Sequence, residues 1–90
     1  MKVLKIGAVW CNSCLVMKPR WQEIEKKHGW LKAQYFEYDD SQEVIEKYNI
    51  ESGKLPVFIF LDTNGEELER RSGELTINEI EEILKRLRDK

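Results

Sequence analysis

Both cysteines of this 90-residue chain lie in one short stretch near the N-terminus, Trp10-Cys11-Asn12-Ser13-Cys14. Two thiols at the Cys-x-x-Cys spacing can form half of a zinc site, a short structural disulfide, or a redox pair that opens and closes. They can also be two small side chains that are simply buried in the core. The remaining residues, and the elements that must position the thiols, bear on which chemistry applies.

The chain offers few further ligands for zinc. A structural zinc site takes four ligands, and the sequence adds only one histidine, His28, to the two thiols. If one helix carries Cys14 and His28, a rise of 1.5 Å per residue separates them by roughly 20 Å. Zinc would therefore need ligands from a second chain, and we expect no metal in a single chain.

A permanent disulfide explains the pair poorly. Cross-linking stabilises more when the closed loop is longer, ~3 kcal/mol for ~15 residues, and this loop is far shorter. The N-terminus MKVLKIGAV is too short an apolar run for a signal peptide, and no segment approaches the ~20 apolar residues that span a bilayer. We therefore expect a cytoplasmic protein, in a compartment where thiols stay reduced.

Charge gives no sign of a polyanionic partner. The net charge is −2, and acidic and basic residues are interspersed along the chain. This composition gives no electrostatic reason to expect binding to nucleic acid or to an anionic membrane.

The elements around the cysteines follow an α/β pattern. The apolar segment Val3–Val9 predicts an interior strand that is buried on both faces. After it, inward positions recur at three- and four-residue steps, which predicts an amphipathic helix carrying Cys14, Met17, Trp21, Ile24 and His28. The outer side of this helix is expected to expose Arg20, Glu23, Glu25, Lys26 and Lys27.

The rest of the chain supplies three more strands and two helices. The predicted strands are Gln34–Tyr38, Val57–Leu61 and the charged edge strand Glu67–Ser72, with a tight turn at Asn64-Gly65. Asp39–Ser41 are expected to cap a short helix that carries Val44, Ile45 and Tyr48 inward. Thr76 and Glu79 form a capping box before a last helix with the apolar stripe Ile77, Ile80, Ile83, Leu84 and Leu87.

The predicted order is β-α-β-α-β-β-α. A right-handed crossover makes the first two strands parallel and adjacent. The hairpin must complete the same sheet, because no other apolar surface could hold it. We therefore predict an α/β fold, with one four-stranded mixed sheet and helices on both faces, in a single domain over residues 1–90.

This fold favours the redox interpretation. Cys11 stands where the first strand meets the first helix, and the free N–H groups and dipole of a helix N-terminus favour an anion. The thiolate is the nucleophile in disulfide exchange. Cys14, one turn further on, is shielded but within reach to resolve a mixed disulfide. A Cys-x-x-Cys pair beside a βαβ unit is typical of thioredoxin-like redox proteins.

The sequence resembles the thioredoxin family through most of the chain. The matching features are the Trp-Cys-x-x-Cys motif at 10–14, Pro19 at the position of the helix-kinking proline, Leu55-Pro56 as the cis-proline segment, and Asn64-Gly65 and Gly73 as the two later glycines. The resemblance implies a thioredoxin fold and a thiol–disulfide oxidoreductase that reduces protein disulfides.

The resemblance also implies roles for individual residues. Cys11 would be the attacking thiol and Cys14 the resolving thiol, with their disulfide as the only redox group and no separate cofactor. The substrate groove would involve Trp10, Asn12, Ser13, Leu55, Pro56 and Gly73. Because Asn12 and Ser13 carry no charge, we expect a reducing or intermediate potential.

The expected partners are disulfide-bearing proteins and an electron donor resembling thioredoxin reductase, and the protein is expected to be a monomer. Two other functions stay open. The fold could serve as a non-catalytic module that docks a partner in the groove at Trp10 and Pro56, or the pair could act as a disulfide isomerase or oxidase.

The sequence departs from the family in three respects. Only ten residues precede Cys11, so the family's opening strand and helix are absent and the chain is glutaredoxin-sized. Leu55 before the proline and Ser72-Gly73 do not match the glutathione site of glutaredoxins. Lys5 occupies the position of the family's buried aspartate, and the usual lysine partner aligns near Tyr35.

Lys5 has two interpretations. It can be a lysine at a strand end that extends to solvent. Alternatively, Lys5 and Glu37 pair beneath the disulfide, since both have the parity to face one side of the sheet, and Glu37 serves as a proton relay for Cys14.

Overall fold

Residues 1–88, described by a computed structural model, form four strands and three helices. The elements are β1 (Lys2–Gly7), α1 (Asn12–Lys27), β2 (Lys32–Glu37), α2 (Gln42–Tyr48), β3 (Val57–Leu61), β4 (Glu67–Ser72) and α3 (Ile77–Leu87). The predicted element order is thus confirmed. Residues 89 and 90 of the predicted domain lie outside the described residues.

The strands form one mixed sheet in the order β2-β1-β3-β4. β1 runs parallel to β2 and antiparallel to β3, and β4 closes the hairpin at the edge. The parallel register sets Lys5 beside Tyr35 and Gly7 beside Glu37. β1 is therefore an interior strand, as predicted. Its carboxyl end, which lies between β2 and β3, leads into the cysteine motif.

Each face of the sheet carries its own apolar cluster. On one face, α1 and α3 pack against β1 and β3, and Trp21 meets Phe58 with ring centroids 5.3 Å apart. On the other face, α2 covers Leu4, Ile6 and Ile59. The alternation of strand side chains thus fills both clusters from β1 and β3, which explains why Val57–Leu61 is continuously apolar.

Several local predictions are refined. β1 ends at Gly7 because the chain turns at Ala8, whose carbonyl accepts the N–H of Cys11 at 3.1 Å. β2 runs from Lys32 to Glu37, and Tyr38 opens a 3₁₀ turn instead of ending the strand. The capping box of α3 is confirmed, since Thr76 Oγ1 accepts the Glu79 N–H at 3.1 Å and Glu79 Oε1 accepts the Thr76 N–H at 3.0 Å.

Within residues 1–88, no helix combines the length and the apolar character that crossing a membrane requires.

Candidate active site

Cys11 is the N-cap residue of α1. Its backbone is extended, with φ −99° and ψ 111°, so its side chain turns back over the first turn of the helix. The backbone N–H of Cys14 donates to Cys11 Sγ at 3.2 Å. In most helices a side-chain oxygen takes this hydrogen bond, and here a sulfur does. The free N–H groups and the dipole of α1 therefore favour negative charge on Cys11.

Cys14 lies in the first turn of α1 and is only partly exposed; both cysteines are free thiols. Burial raises the pKa of the Cys14 thiol to about 12, and its hydrogen bond to Cys11 acts in the same direction. Cys14 is therefore held as a thiol. Cys11 thus stands at the helix N-terminus, the place of an attacking thiol, and the protonated Cys14 lies one helical turn behind it, the place of a resolving thiol.

The segment before β3 lies beside the loop that follows β4. The Leu55–Pro56 peptide bond is cis, and the Pro56 carbonyl accepts the N–H of Gly73 at 2.8 Å. Gly73 has φ +88°, a left-handed conformation that favours glycine. The structure therefore brings Leu55, Pro56 and Gly73 together.

Trp10 is held by residues that follow β2. Its indole Nε1–H donates to Asp39 Oδ2 at 3.0 Å, and its ring meets Tyr38 edge-on at 6.2 Å. Even so, 54% of Trp10 is exposed, as expected for a residue bordering a groove. Asp39 was expected only to help cap a helix. An acidic residue just after a strand gives no sequence signal that it will bind an indole on another loop.

The dipeptide between the cysteines faces outward on the first turn of α1. Ser13 Oγ donates to Glu74 Oε2 at 3.0 Å, which ties this turn to the residue after Gly73. Asn12 is exposed at the first helical position. Ser13 thus joins two parts of the predicted groove, and Glu74 is a further residue that the sequence did not single out.

The predicted ion pair between Lys5 and Glu37 is wrong. Lys5 Nζ lies 2.6 Å from Glu25 Oε2 and 5.8 Å from the ring centroid of Trp21. Lys5 faces α1, so its partner comes from that helix. Glu25 was predicted to face solvent, and it faces Lys5 instead. The alternative of an exposed strand-end lysine also fails, because only 16% of the Lys5 side chain is exposed.

Glu37 instead bridges the strand end and the loop before the cysteines. Its Oε2 accepts the backbone N–H of Val9 at 3.1 Å, and its Oε1 accepts the Tyr35 hydroxyl at 2.9 Å. Burial of that hydroxyl, with the hydrogen bond to Glu37, raises the pKa of Tyr35. Tyr35 was predicted as a strand residue, near which the family's usual lysine partner aligns, but its hydrogen bond to Glu37 was not predicted.

A cavity of about 480 Å³ opens beneath Cys14, between α1 and the carboxyl ends of β1 and β2. Its lining includes Lys5, Gly7, Cys14, Glu25, Tyr35 and Glu37. We call this region the floor of the site. It contains both of the predicted relay residues, Lys5 and Glu37, although they do not pair with each other.

No cluster of three or more histidine, cysteine, aspartate or glutamate side chains within residues 1–88 is arranged to hold a metal ion. The arrangement is that of a dithiol at a helix N-terminus, which is chemically capable of thiol–disulfide exchange.

The family model described as thioredoxin matches residues 1–84. The chain belongs to the thioredoxin family. A thioredoxin H-type from Oryza sativa subsp. indica is 31% identical over 64 residues, which cover 71% of this chain and 51% of that protein. The chain thus spans about half the length of this curated relative.

Solved thioredoxin structures share the fold. Thioredoxin NaTrxh from Nicotiana alata superposes with a TM-score of 0.85 at 24% identity, covering 94% of this chain and 70% of that one. Fasciola hepatica thioredoxin has a TM-score of 0.85 at 25% identity, covering 94% and 78%. The thioredoxin fold is therefore confirmed, and membership of the family supports a redox enzyme in general.

Proposed function

We propose that this protein is a thiol–disulfide oxidoreductase that reduces disulfides in other proteins through Cys11 and Cys14. One observation carries the proposal. Cys11 Sγ caps α1 and accepts the Cys14 N–H at 3.2 Å, while burial keeps Cys14 protonated behind it. The attacking thiolate is thus stabilised where substrate can approach, and the second thiol is held one helical turn away.

In the first step the Cys11 thiolate attacks one sulfur of a substrate disulfide. A bond forms between Cys11 Sγ and that sulfur, and the substrate S–S bond breaks. The leaving sulfur departs with the electron pair as a thiolate and takes a proton from solvent. The helix N-terminus favours this step because it stabilises Cys11 as an anion before attack.

In the second step Cys14 loses its proton and attacks Cys11 Sγ. The bond to the substrate breaks, the second substrate thiolate leaves, and the Cys11–Cys14 disulfide closes. Two electrons have passed from the protein to the substrate. A dithiol or a reductase resembling thioredoxin reductase must then return two electrons to reopen the disulfide.

Protein substrates are supported by the surface around Cys11. Trp10 offers an exposed aromatic face, and the start of β3 at Leu55 and Pro56 offers extended backbone to a substrate segment. Gly73 lies within hydrogen-bond reach of Pro56 and leaves space beside it. This surface suits an extended peptide segment that carries a disulfide.

We further propose that the protein works as a monomer in the cytoplasm, in the direction of reduction. Asn12 and Ser13 bring no charge that would stabilise the reduced Cys11 thiolate further. A strongly oxidising potential depends on such stabilisation. An equilibrium with glutathione that gives a potential near about −180 mV, typical of isomerases, would overturn this direction.

The test is reduction of insulin by dithiothreitol, followed by turbidity. The wild-type protein should accelerate precipitation, and Cys11→Ser should lose the acceleration. Ser72→Ala, at the edge of β4, is a control that leaves both thiols in place. A wild-type protein that does not accelerate the reaction would overturn the proposal.

A second candidate function is a binding module that needs no catalysis. The observation in its favour is a group of exposed apolar side chains beside the cysteines: Val9 is 75% exposed, Trp10 54% and Leu15 56%. Such a surface suits protein docking. If Cys11→Ser binds a partner as the wild type does and neither form has reductase activity, this alternative holds instead.

A further inference from the structure

The second step of the proposed reaction leaves one event unassigned, namely the removal of the proton from Cys14. The sulfur is partly buried, and burial raises the pKa of its thiol to about 12. The thioredoxin family has a buried aspartate that helps to remove this proton, but in this chain Lys5 occupies the position of that aspartate. A cation that is already paired with Glu25 cannot accept a proton.

Gly7 marks the place where Cys14 meets another polar group. A β-carbon at Gly7 would lie 3.2 Å from Cys14 Sγ and also 3.2 Å from the Tyr35 hydroxyl oxygen. The sulfur and the hydroxyl therefore border the same small space above Gly7. The distance between Cys14 Sγ and the Tyr35 hydroxyl oxygen is therefore at most the sum of these two distances. A single water molecule can bridge such a gap. Glycine keeps this space open.

The hydroxyl continues the path to a carboxylate. Tyr35 donates to Glu37 Oε1 at 2.9 Å, and Glu37 Oε2 is fixed by the Val9 N–H at 3.1 Å. Tyr35 is 52% exposed and Glu37 is partly exposed, so the far end of the path reaches solvent at the edge of the sheet. Cys14, Tyr35 and Glu37 thus lie in sequence from the buried sulfur to water.

We propose that Tyr35 and Glu37 form a proton relay that deprotonates Cys14 while the mixed disulfide is resolved. The inference rests on the proposed function, since it concerns the second step of that reaction. It assigns to Tyr35 the connection between Cys14 and Glu37 that the sequence did not reveal.

The transfer balances without any added reactant. The Cys14 proton passes to the Tyr35 oxygen, directly or through one water, as the phenolic proton passes to Glu37 Oε1. Cys14 becomes a thiolate, Tyr35 is again a phenol, and Glu37 becomes a carboxylic acid. The thiolate attacks Cys11 Sγ, the bond to the substrate breaks, and the substrate sulfur leaves with the electron pair. Glu37 then releases its proton to water.

Other charged groups face this space and must be weighed. From β1 and α1 they are Lys5, Lys18, Glu25 and Cys11. Glu25 is the competing carboxylate, but Lys5 Nζ lies 2.6 Å from its Oε2, so it is engaged in an ion pair. Within residues 1–88, Glu37 accepts from two neutral donors, the Tyr35 hydroxyl and the Val9 N–H. The hydrogen bond from Tyr35 makes Glu37 the carboxylate on which the path from Cys14 ends.

The experiment separates the two steps. Reduced protein is mixed with the chromogenic disulfide dithiobis-nitrobenzoate in a stopped-flow instrument. Attack by Cys11 releases the first thionitrobenzoate, and resolution by Cys14 releases the second. In Tyr35→Phe and Glu37→Gln we expect the first release at the wild-type rate and the second slowed by about 100-fold, the lower end of what a general base contributes.

A pH profile distinguishes proton transfer from a structural role. The second release should vary little between about pH 6 and about pH 8 in the wild type, because a carboxylate within the protein, and not hydroxide, takes the proton. In either variant, hydroxide must remove the proton, so the rate should rise about tenfold per pH unit. Matched controls on the far face of the sheet are Tyr48→Phe and Glu43→Gln, which should retain the wild-type profile.

The outcomes separate this proposal from the proposed function. If the wild type releases no second thionitrobenzoate, the redox function itself fails. If it releases both and Tyr35→Phe and Glu37→Gln match it in rate and pH profile, the relay is overturned and the function stands. An unchanged first release in each variant shows that the fold around Cys11 is intact.

Discussion

The groove beside the cysteine pair and the floor beneath it differ in how closely they match the thioredoxin family. The groove side keeps the family pattern, with an exposed Trp10, a cis bond before Pro56 and a left-handed Gly73. The floor beneath Cys14 does not, because Lys5 pairs with Glu25 and Glu37 holds Tyr35 and Val9 instead. The residues proposed to line the groove thus keep the features by which the sequence resembles the family, and the charged residues below Cys14 depart from them.

The difference has a physical origin. Groove positions depend on local backbone conformation, which a single proline or glycine sets through its own φ preference. Floor positions depend on which side chains from β1, β2 and α1 meet in one cavity, and a lysine can choose among several carboxylates there. Attack on a disulfide should therefore resemble that of other thioredoxins, whereas the proton transfer that follows should depend on residues particular to this chain.

The largest expected effect tests whether attack by Cys11 is followed by resolution by Cys14. In Cys14→Ser, Cys11 should still attack, because the capping N–H belongs to the backbone of residue 14. The mixed disulfide should then persist, and turnover should fall by at least ~10³-fold. Mass spectrometry of the protein after one equivalent of substrate should show the trapped adduct. Rapid release of both substrate thiols by this variant would show that Cys14 is not the resolving thiol.

The next effect probes the groove alone. Trp10→Ala removes an exposed aromatic surface beside Cys11, so KM for a protein disulfide should rise about tenfold. The rate with a small aromatic disulfide should change little, since that reagent needs no extended groove. Trp30→Ala, at the opposite end of α1, is the matched control. An equal loss with both substrates would indicate that Trp10 acts on Cys11 itself.

A smaller effect probes the floor alone. Gly7→Ala places a methyl group 3.2 Å from both Cys14 Sγ and the Tyr35 hydroxyl. Those side chains must shift, so the second thionitrobenzoate release should slow several-fold, and the protein should lose about 1 kcal/mol of stability. Gly53→Ala, with nothing within 4 Å of the added carbon, serves as the control. A Gly7→Ala protein with wild-type kinetics would show that the space above Gly7 is not needed.

The smallest effect is a pH dependence of stability that comes from the floor. The folded state raises the pKa of Cys14 from 9.0 to about 12, so it keeps a proton that the unfolded chain loses. Stability from this group is complete below about pH 9 and falls as pH rises towards about 12. Urea unfolding of the reduced protein should show this fall, and Cys14→Ser should show less of it. An equal fall in both proteins would assign it to other groups.

Much of the fold could be predicted because it depends on patterns within single elements. The alternation and continuous apolar character of the strands, and the capping box at Thr76 and Glu79, depend on neighbours that lie close in sequence. The position of the Cys-x-x-Cys motif at the start of a helix could be predicted for the same reason, because a helix N-terminus and its N-cap lie within three residues of each other.

The errors concern side chains that reach across elements. Glu25 was assigned to solvent because helical periodicity describes one helix and not the lysine that faces it. The Lys5–Glu37 pair had the right strand parity, but Glu37 lies two residues further along the register, beside Gly7. Tyr35 and Asp39 acquired roles from contacts with Glu37 and Trp10, which no spacing within the chain indicates.

By itself the sequence determined the element order, the mixed sheet and the position of two thiols at a helix N-terminus, since hydrophobic period and local capping specify these. Only the tertiary structure decided which carboxylate neutralises Lys5 and that Tyr35 shares a space with Cys14. The physical reason is the separation along the sequence over which each interaction acts. Backbone preferences act over a few residues, whereas charge pairing and cavity shape arise only after distant elements have packed together.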